Sequence, residues 1–221
     1  MESGGSTEVE LFSYWRSSCS YRVRIALNLK GIKYEYKAVN LVKDGGEQKS
    51  EDYLKKNPQG FVPALAIDGH TLCESLPICE YLEENHTGDR NLYPTDPFLK
   101  YKCRQICEII NSGTQPLQNL AVLKKIKVDF GGDMNEWSKF YITKGLKSVE
   151  AVLADTKGKY CIGDEPTVAD CFLVPQIYNA NRFEVDMTQF PLINEIHENL
   201  KELQEFKDAH PDVMPDAHPD V

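Results

Sequence analysis

Tyr14-Trp15-Arg16-Ser17-Ser18-Cys19-Ser20-Tyr21-Arg22-Val23-Arg24-Ile25-Ala26-Leu27 is a stretch in which a strand ends on small nucleophilic side chains and a helix begins. Upstream, Val9, Leu11 and Ser13 alternate with Phe12 and Tyr14, the period of a short strand whose successive side chains point to opposite faces. Downstream, Val23, Ala26, Leu27 and Lys30 recur at helical spacing. Ser17, Ser18, Cys19 and Ser20 are thereby predicted at a helix N-terminus. Unpaired backbone N–H groups and the positive end of the macrodipole there favour a thiolate, a carboxylate or a phosphate. Hydroxyls and a thiol at that place can donate hydrogen bonds to a bound anion. Plainer roles stand beside this one: Ser17 as an N-cap worth about 1 kcal/mol, Cys19 as a small buried hydrophobe, and Arg22 and Arg24 as a solvated helix face, the reading preferred for Arg24.

Working outward, Gly31 is placed as a helix C′ residue, and Tyr34-Glu35-Tyr36-Lys37-Ala38-Val39 alternates like a second strand. A strand, a helix and a strand so spaced form a right-handed crossover with the strands parallel. Lys43-Asp44-Gly45-Gly46-Glu47 reads as a loop, and 51–56 as a short helix stopped by Asn57-Pro58. Asp68-Gly69 between two apolar runs signals a type I′ hairpin, and apolar Leu76, Ile78, Cys79 and Leu82 mark a helix over 75–84. The order β-α-β, α, β-β-α within about 80 residues gives a sheet flanked by helices, a thioredoxin-like domain over 7–86. Gly88, Pro94 and Pro97 interrupt the pattern and suggest a linker over 87–98. Helical periodicity then covers 99–111, 117–128, 134–153, 168–178 and 192–206, so an all-α domain is expected over 99–207. Thr167-Val168-Ala169-Asp170 has the spacing of a capping box. Asp208-Ala209-His210-Pro211-Asp212-Val213 recurs as Asp216-Ala217-His218-Pro219-Asp220-Val221, a tandem hexapeptide read as a flexible acidic tail over 208–221.

With 221 residues, 41% hydrophobic and 27% charged, the composition is that of a globular protein. The formal charge of −9 argues against nucleic acid and anionic membranes as partners, and an anionic ligand needs a local cationic pocket. No apolar run reaches the roughly 20 residues of a spanning helix. The polar segment 1–8 lacks the pattern of a secretion signal, so a cytoplasmic location is expected. Seven cysteines, irregularly spaced and without a Cys-x-x-Cys pair, read as reduced thiols. Cys103 and Cys107 lie one helical turn apart and are read as a helix face; no metal site is expected there or at His210 and His218.

The stretch from Ser17 to Leu27 resembles the signature of the zeta class of the glutathione transferase superfamily. The likeness continues through Asn40-Leu41-Val42-Lys43-Asp44-Gly45-Gly46, Asn57-Pro58, Val62-Pro63, Gln115-Pro116-Leu117-Gln118-Asn119-Leu120, Gly163-Asp164-Glu165 and Asn179-Ala180-Asn181-Arg182-Phe183. It implies the glutathione transferase fold, with glutathione as cofactor and Ser17, Ser18 and Cys19 as catalytic residues. These three with Arg22 are implied at the sulfur end, Gln48 and Val62 at the peptide backbone, and Glu74 and Ser75 at the γ-glutamyl group. Ser20, Tyr21, Gln115, Asn119, Leu120 and Ala121 complete the implied cofactor set, and Arg182 is implied for a substrate carboxylate. The Val62-Pro63 bond is implied to be cis. Glu74 stands where relatives commonly have Gln or Asp, which keeps an acceptor and removes a donor, and Tyr21 replaces a Trp or His of many relatives.

The activity implied is glutathione-dependent cis-trans isomerisation of maleylacetoacetate, a small dicarboxylate of tyrosine and phenylalanine catabolism, to fumarylacetoacetate by a homodimer. Transferase activity toward small haloacids is implied beside it. A transferase or dehydroascorbate-type reductase using Cys19 covalently, or a non-enzymatic member of the superfamily, are the other readings of the same residues.

Overall fold

Leu11 and Ser13 of strand β1 (Glu10–Ser13) are completely buried while Glu10 and Phe12 are half-exposed, so the alternation read in the sequence is the alternation of the strand. The computed structural model describes residues 9–217. The polar segment 1–8 and residues 218–221, including His218, lie outside the described residues. The chain forms two units, one from the residues up to Arg90 together with those from Glu205 onward, the other Asn91–Gln204.

In the first unit, β1 is followed by α1 (Ser18–Leu29), β2 (Glu35–Ala38), α2 (Glu51–Leu54), β3 (Ala64–Ile67), β4 (His70–Cys73) and α3 (Ser75–Asn85). The sheet order is β2-β1-β3-β4, with β1 parallel to β2 and β3 antiparallel to both β1 and β4. This is the expected thioredoxin-like architecture. Gly31 closes α1 at φ 66°, and Asp68 and Gly69 turn the hairpin at φ 53° and 77°, the left-handed region that a type I′ turn requires at both central positions. Val23, Ile25, Ala26 and Leu27 of α1 and Ile78, Cys79 and Leu82 of α3 are all buried. Burial pushes the Cys79 thiol up to about 12, so it packs as an inert hydrophobe.

Two expectations for this unit are corrected. Arg24 is not on a solvated face: both Arg22 and Arg24 are completely buried. Residues 208–217 are not a flexible tail. Ala209 is fully buried, Pro211 and Met214 are buried beside it, and Arg24 Nε donates to the Ala209 carbonyl at 2.9 Å.

The second unit holds α4 (Pro97–Asn111), a 3-10 turn (Gln115–Gln118), α5 (Leu120–Phe130), α6 (Met134–Thr156), α7 (Val168–Arg182) and α8 (Pro191–Leu200). The expected last helix ends at Leu200, and a separate turn of helix, α9 (Gln204–Lys207), follows. The boundary between the units, Arg90 to Asn91, falls within the expected linker over 87–98; Leu92 and Tyr93 in that segment are buried, and Val168 N–H donates to the Leu92 carbonyl at 2.8 Å. A leucine and a tyrosine among the Gly and Pro signals have apolar surface to bury. Cys103 and Cys107 sit with Ile106 and Ile110 on the buried face of α4.

The capping box at the start of α7 is formed. The fully buried Asp170 accepts from Thr167 N–H at 2.7 Å, Thr167 Oγ1 at 3.0 Å and Cys161 N–H at 3.0 Å. Burial raises its pKa, against the pull of these same donors. Asp170→Ala strips two buried N–H groups of their acceptor, so a loss of about 2–4 kcal/mol is expected in urea unfolding; a loss under about 1 kcal/mol shows that the two N–H groups find other acceptors.

Candidate active site

The sheet register brings the sequence-distant candidates of the first unit to one end. Phe12 pairs with Ala64 and Ala64 with Cys73, while Ser13 pairs with Ala38. The end of β1 leading to Ser17, the start of β3 after Val62-Pro63, the end of β4 before Glu74 and the end of β2 leading to Gln48 therefore share one edge. It is the carboxyl edge of the parallel pair, where open α/β sheets hold their ligands.

Ser17 is the N-cap of α1, its Oγ accepting from Ser20 N–H at 3.2 Å. A hydroxyl that accepts keeps its own proton to donate, so capping and anion binding are compatible in one side chain. Ser18 is buried and Ser17 and Cys19 are half-buried beside it. The preceding turn is closed by Ser17 N–H donating to the Tyr14 carbonyl at 2.9 Å, and Tyr14 packs with Val39, Tyr53, Val62 and Ala64.

The Val62-Pro63 bond is cis, as the resemblance implied. Its approach is fixed by Tyr53 Oη and Asn57 Nδ2, both donating to the Phe61 carbonyl at 2.6 and 2.9 Å. Gly60, at φ 65°, lies where a Cβ would come within 3.1 Å of the Gln48 carbonyl, so the Gln48 segment and the loop before Val62 are close neighbours. Gln48 Oε1 is a buried acceptor to which no described protein donor is bonded.

Glu74 has φ 68° and ψ 120°, a left-handed backbone that costs of order 1–3 kcal/mol in a non-glycine residue and recurs at ligand sites. It exposes its carboxylate directly before Ser75, the buried first residue of the 11-residue α3. Arg22 NH1 donates to Ser75 Oγ at 3.0 Å, tying α1 to the start of α3. Burial, then the Glu74 charge, raises the pKa of the neighbouring Cys73 thiol.

Three residues expected to contact the cofactor are placed in the interior instead. Ser20 and Arg22 have no exposed surface, and Tyr21 is 2% exposed. Arg22 is therefore corrected from the sulfur end to the interior, where its NH1 meets Ser75 Oγ. The Tyr21 ring faces Arg24 and meets the His210 ring edge-on at 6.1 Å. In the second unit, Gln115 opens the 3-10 turn and Asn119 caps α5, its Oδ1 accepting from Ala121 N–H at 3.0 Å. Leu120, Ala121 and Arg182 are exposed, Arg182 as the last residue of α7. Gln118 Nε2 donates to Gln176 Oε1 at 2.8 Å, linking the Gln115 turn to the helix that carries Arg182.

The family of glutathione S-transferase N-terminal domains matches residues 16–85, and that of glutathione S-transferase C-terminal domains matches residues 132–208. The chain belongs to the glutathione S-transferase family. A maleylacetoacetate isomerase of Dictyostelium discoideum is 49% identical over 211 residues, 95% of this chain and 96% of that protein. A bacterial maleyl pyruvate isomerase solved in its holo form, described as a zeta-class glutathione S-transferase, is 39% identical with a TM-score of 0.90 over 95% of this chain and 100% of its own. A maleylacetoacetate isomerase from Anaeromyxobacter dehalogenans, solved with dicarboxyethyl glutathione and citrate in its active site, is 40% identical with a TM-score of 0.86, covering 96% and 95% of the two chains. Among the described residues, no helix is long and apolar enough to cross a membrane.

The residues of the shared edge fit the tripeptide of this family. Ser17 has a hydroxyl proton to offer a sulfur, Gln48 Oε1 is a buried acceptor lacking a protein donor, and the α3 N-terminus with Ser75 suits a carboxylate. The exposed Glu74 carboxylate suits an ammonium.

Proposed function

We propose that the protein is a glutathione-dependent isomerase converting maleylacetoacetate to fumarylacetoacetate, acting in the cytoplasm as a homodimer, with transferase activity on small haloacids as a side reaction. The observation that carries this reading is Ser17, which caps α1 through its oxygen and keeps its proton at the end of the sheet where Val62, Glu74 and Ser75 also converge. Glutathione, when bound, supplies a thiolate that adds reversibly to the cis double bond and so permits rotation. Ser17 donates to the sulfur, with Ser18 and Cys19 as secondary donors, and the α1 N-terminus favours the negative charge. Gln48 and Val62 hold the peptide backbone, and Glu74 and Ser75 the γ-glutamyl group. Gln115, Asn119, Leu120 and Ala121 are assigned to the cofactor from the second unit. Arg182 is assigned to a substrate carboxylate, because its planar fork meets that group with two parallel hydrogen bonds.

The test is a glutathione-dependent assay of maleylacetoacetate, maleylpyruvate and dichloroacetate side by side. Maleylacetoacetate is expected to give the largest kcat/KM, by about tenfold or more over either competitor, the size of effect one extra well-placed substrate contact supplies. Turnover of the haloacid alone overturns the isomerase reading. Glutathione binding without turnover of any of the three points to a binding module instead.

A further inference from the structure

The turn that delivers Ser17 is held from the far end of the chain. β1 ends its pairing at Ser13, whose carbonyl accepts from Val39 N–H at 2.8 Å, so the sheet provides no acceptor for the Trp15 N–H two residues on. That N–H donates instead to Asp216 Oδ2 at 3.1 Å, across 201 positions of sequence. The other oxygen, Oδ1, accepts from Tyr36 Oη of β2 at 2.7 Å. Burial, with a further contribution from Asp216, raises the Tyr36 pKa and keeps the phenol a donor. Asp216 is itself fixed by a turn in which Ala217 N–H donates to the Met214 carbonyl at 3.0 Å, with Met214 buried. On the carbonyl side of the same residue, Arg24 NH2 donates to the Trp15 carbonyl at 3.1 Å.

We propose that Asp216 is a positioning residue of the Ser17 site: its carboxylate bridges the Trp15 N–H and the Tyr36 hydroxyl and so fixes the turn that sets the place of the Ser17 hydroxyl. The proposal rests on the reading of Ser17 as the donor to the glutathione sulfur. The carboxylate acts through the backbone and touches no reacting group. A hydroxyl displaced by about 1 Å loses much of its value to a developing charge, whereas glutathione, held at several further points, loses little affinity. The segment 214–217 is thus a working part of the first unit.

The experiment uses the full-length chain with Asp216→Ala, Asp216→Asn and Tyr36→Phe, reading hydrogen exchange at the Trp15 amide, glutathione affinity by calorimetry, kcat and KM for isomerisation, and Tm. In Asp216→Ala the Trp15 amide is expected to exchange about tenfold faster or more, with kcat down about tenfold and glutathione Kd within about twofold. Asp216→Asn keeps an acceptor for Trp15 N–H and is expected to restore exchange and to bring kcat back within about threefold of wild type. Tyr36→Phe releases one side of the bridge and falls between the two. Unchanged Trp15 exchange in Asp216→Ala overturns the proposal, as does faster exchange with unchanged kcat. A kcat loss that follows Tm equally in the Ala and Asn variants reduces Asp216 to a stabilising contact and overturns it as well. If Asp216→Ala does not fold, Tyr36→Phe decides: raised Trp15 exchange with a matching kcat loss supports the bridge, and neither change refutes it. A wild type that turns over no substrate refutes the isomerase reading, and unchanged Trp15 exchange in Asp216→Ala then still refutes the bridge on its own terms.

Discussion

Ser17→Ala is expected to lower kcat for glutathione-dependent isomerisation by about 10²–10³-fold, the range measured when one preorganised donor to a developing anion is removed. Glutathione affinity is expected to change by less than about threefold, because the remaining contacts are uniform in ground and transition states. The reason lies in the thiol. At pH 7 a free thiol of pKa about 8.5 is only a few per cent thiolate, and hydrogen-bond donors with a helix N-terminus raise that fraction. Loss of the hydroxyl leaves the α1 N-terminus but removes its directed donor, so the variant's activity should climb with pH toward 9 where the wild type is already level.

Since Ser17 also caps α1, the alanine variant loses about 1 kcal/mol of stability as well. Ser17→Asp separates the two roles. An aspartate caps a helix as well as a serine does, yet ionised it has no proton to give and repels a thiolate. It is expected to be as stable as wild type by thermal unfolding and no more active than Ser17→Ala. Equal losses of kcat and glutathione affinity in Ser17→Ala would falsify the catalytic assignment and leave Ser17 as a binding contact.

The parts of this site that were legible in the sequence are those set by local periodicity and turn chemistry. The strand-to-helix step at Ser17, the left-handed Gly31, the Asp68-Gly69 hairpin and the Thr167-Asp170 cap each depend on residues within a few positions of one another, and all are present. The convergence of Ser17, Val62 and Glu74 follows from strand register and could be anticipated from the β-α-β-β order.

Arg22, Arg24 and Tyr21 were not legible in that way. A charged residue on a helix is ordinarily exposed, and their burial depends on acceptors at Ser75 and Ala209, 53 and 185 positions away. One local signal was present. Val23, Ile25, Ala26 and Leu27 spread over about 200° of the circumference of α1, wider than the roughly 100° apolar stripe of a helix packed on one side only. The segment 208–217 departs from the expected flexible tail for the complementary reason. Its composition is acidic and its length short, but Ala209, Pro211 and Met214 are buried while Val213 stays exposed.

Arg24→Ala is expected to cost about 4 kcal/mol in urea unfolding, the size of effect expected when a large buried side chain is truncated and the acceptors it served are left without a donor. The side chain is completely buried and donates to Ala209 O at 2.9 Å, Ser13 Oγ at 3.2 Å, Tyr14 O at 3.5 Å and Trp15 O at 3.1 Å. Burial lowers its pKa, and Tyr36, Tyr34, Tyr21 and Asp216 act in the opposite direction. Truncation leaves a cavity and several buried carbonyls without donors, and both terms destabilise. Arg24→Met fills most of the space and leaves only the unpaired carbonyls, so roughly half the loss is expected. Arg24→Lys keeps the charge but offers a compact ammonium in place of a planar fork, and it should fall between the two. The damage is also directional. Because the guanidinium joins the Ala209 carbonyl to the turn before Ser17, residues 208–217 should become protease-sensitive in Arg24→Ala at urea concentrations where the helical second unit is still folded. An Arg24→Ala protein within about 1 kcal/mol of wild type and equally resistant there would mean that the apolar contacts of Ala209, Pro211 and Met214 hold the segment without the guanidinium.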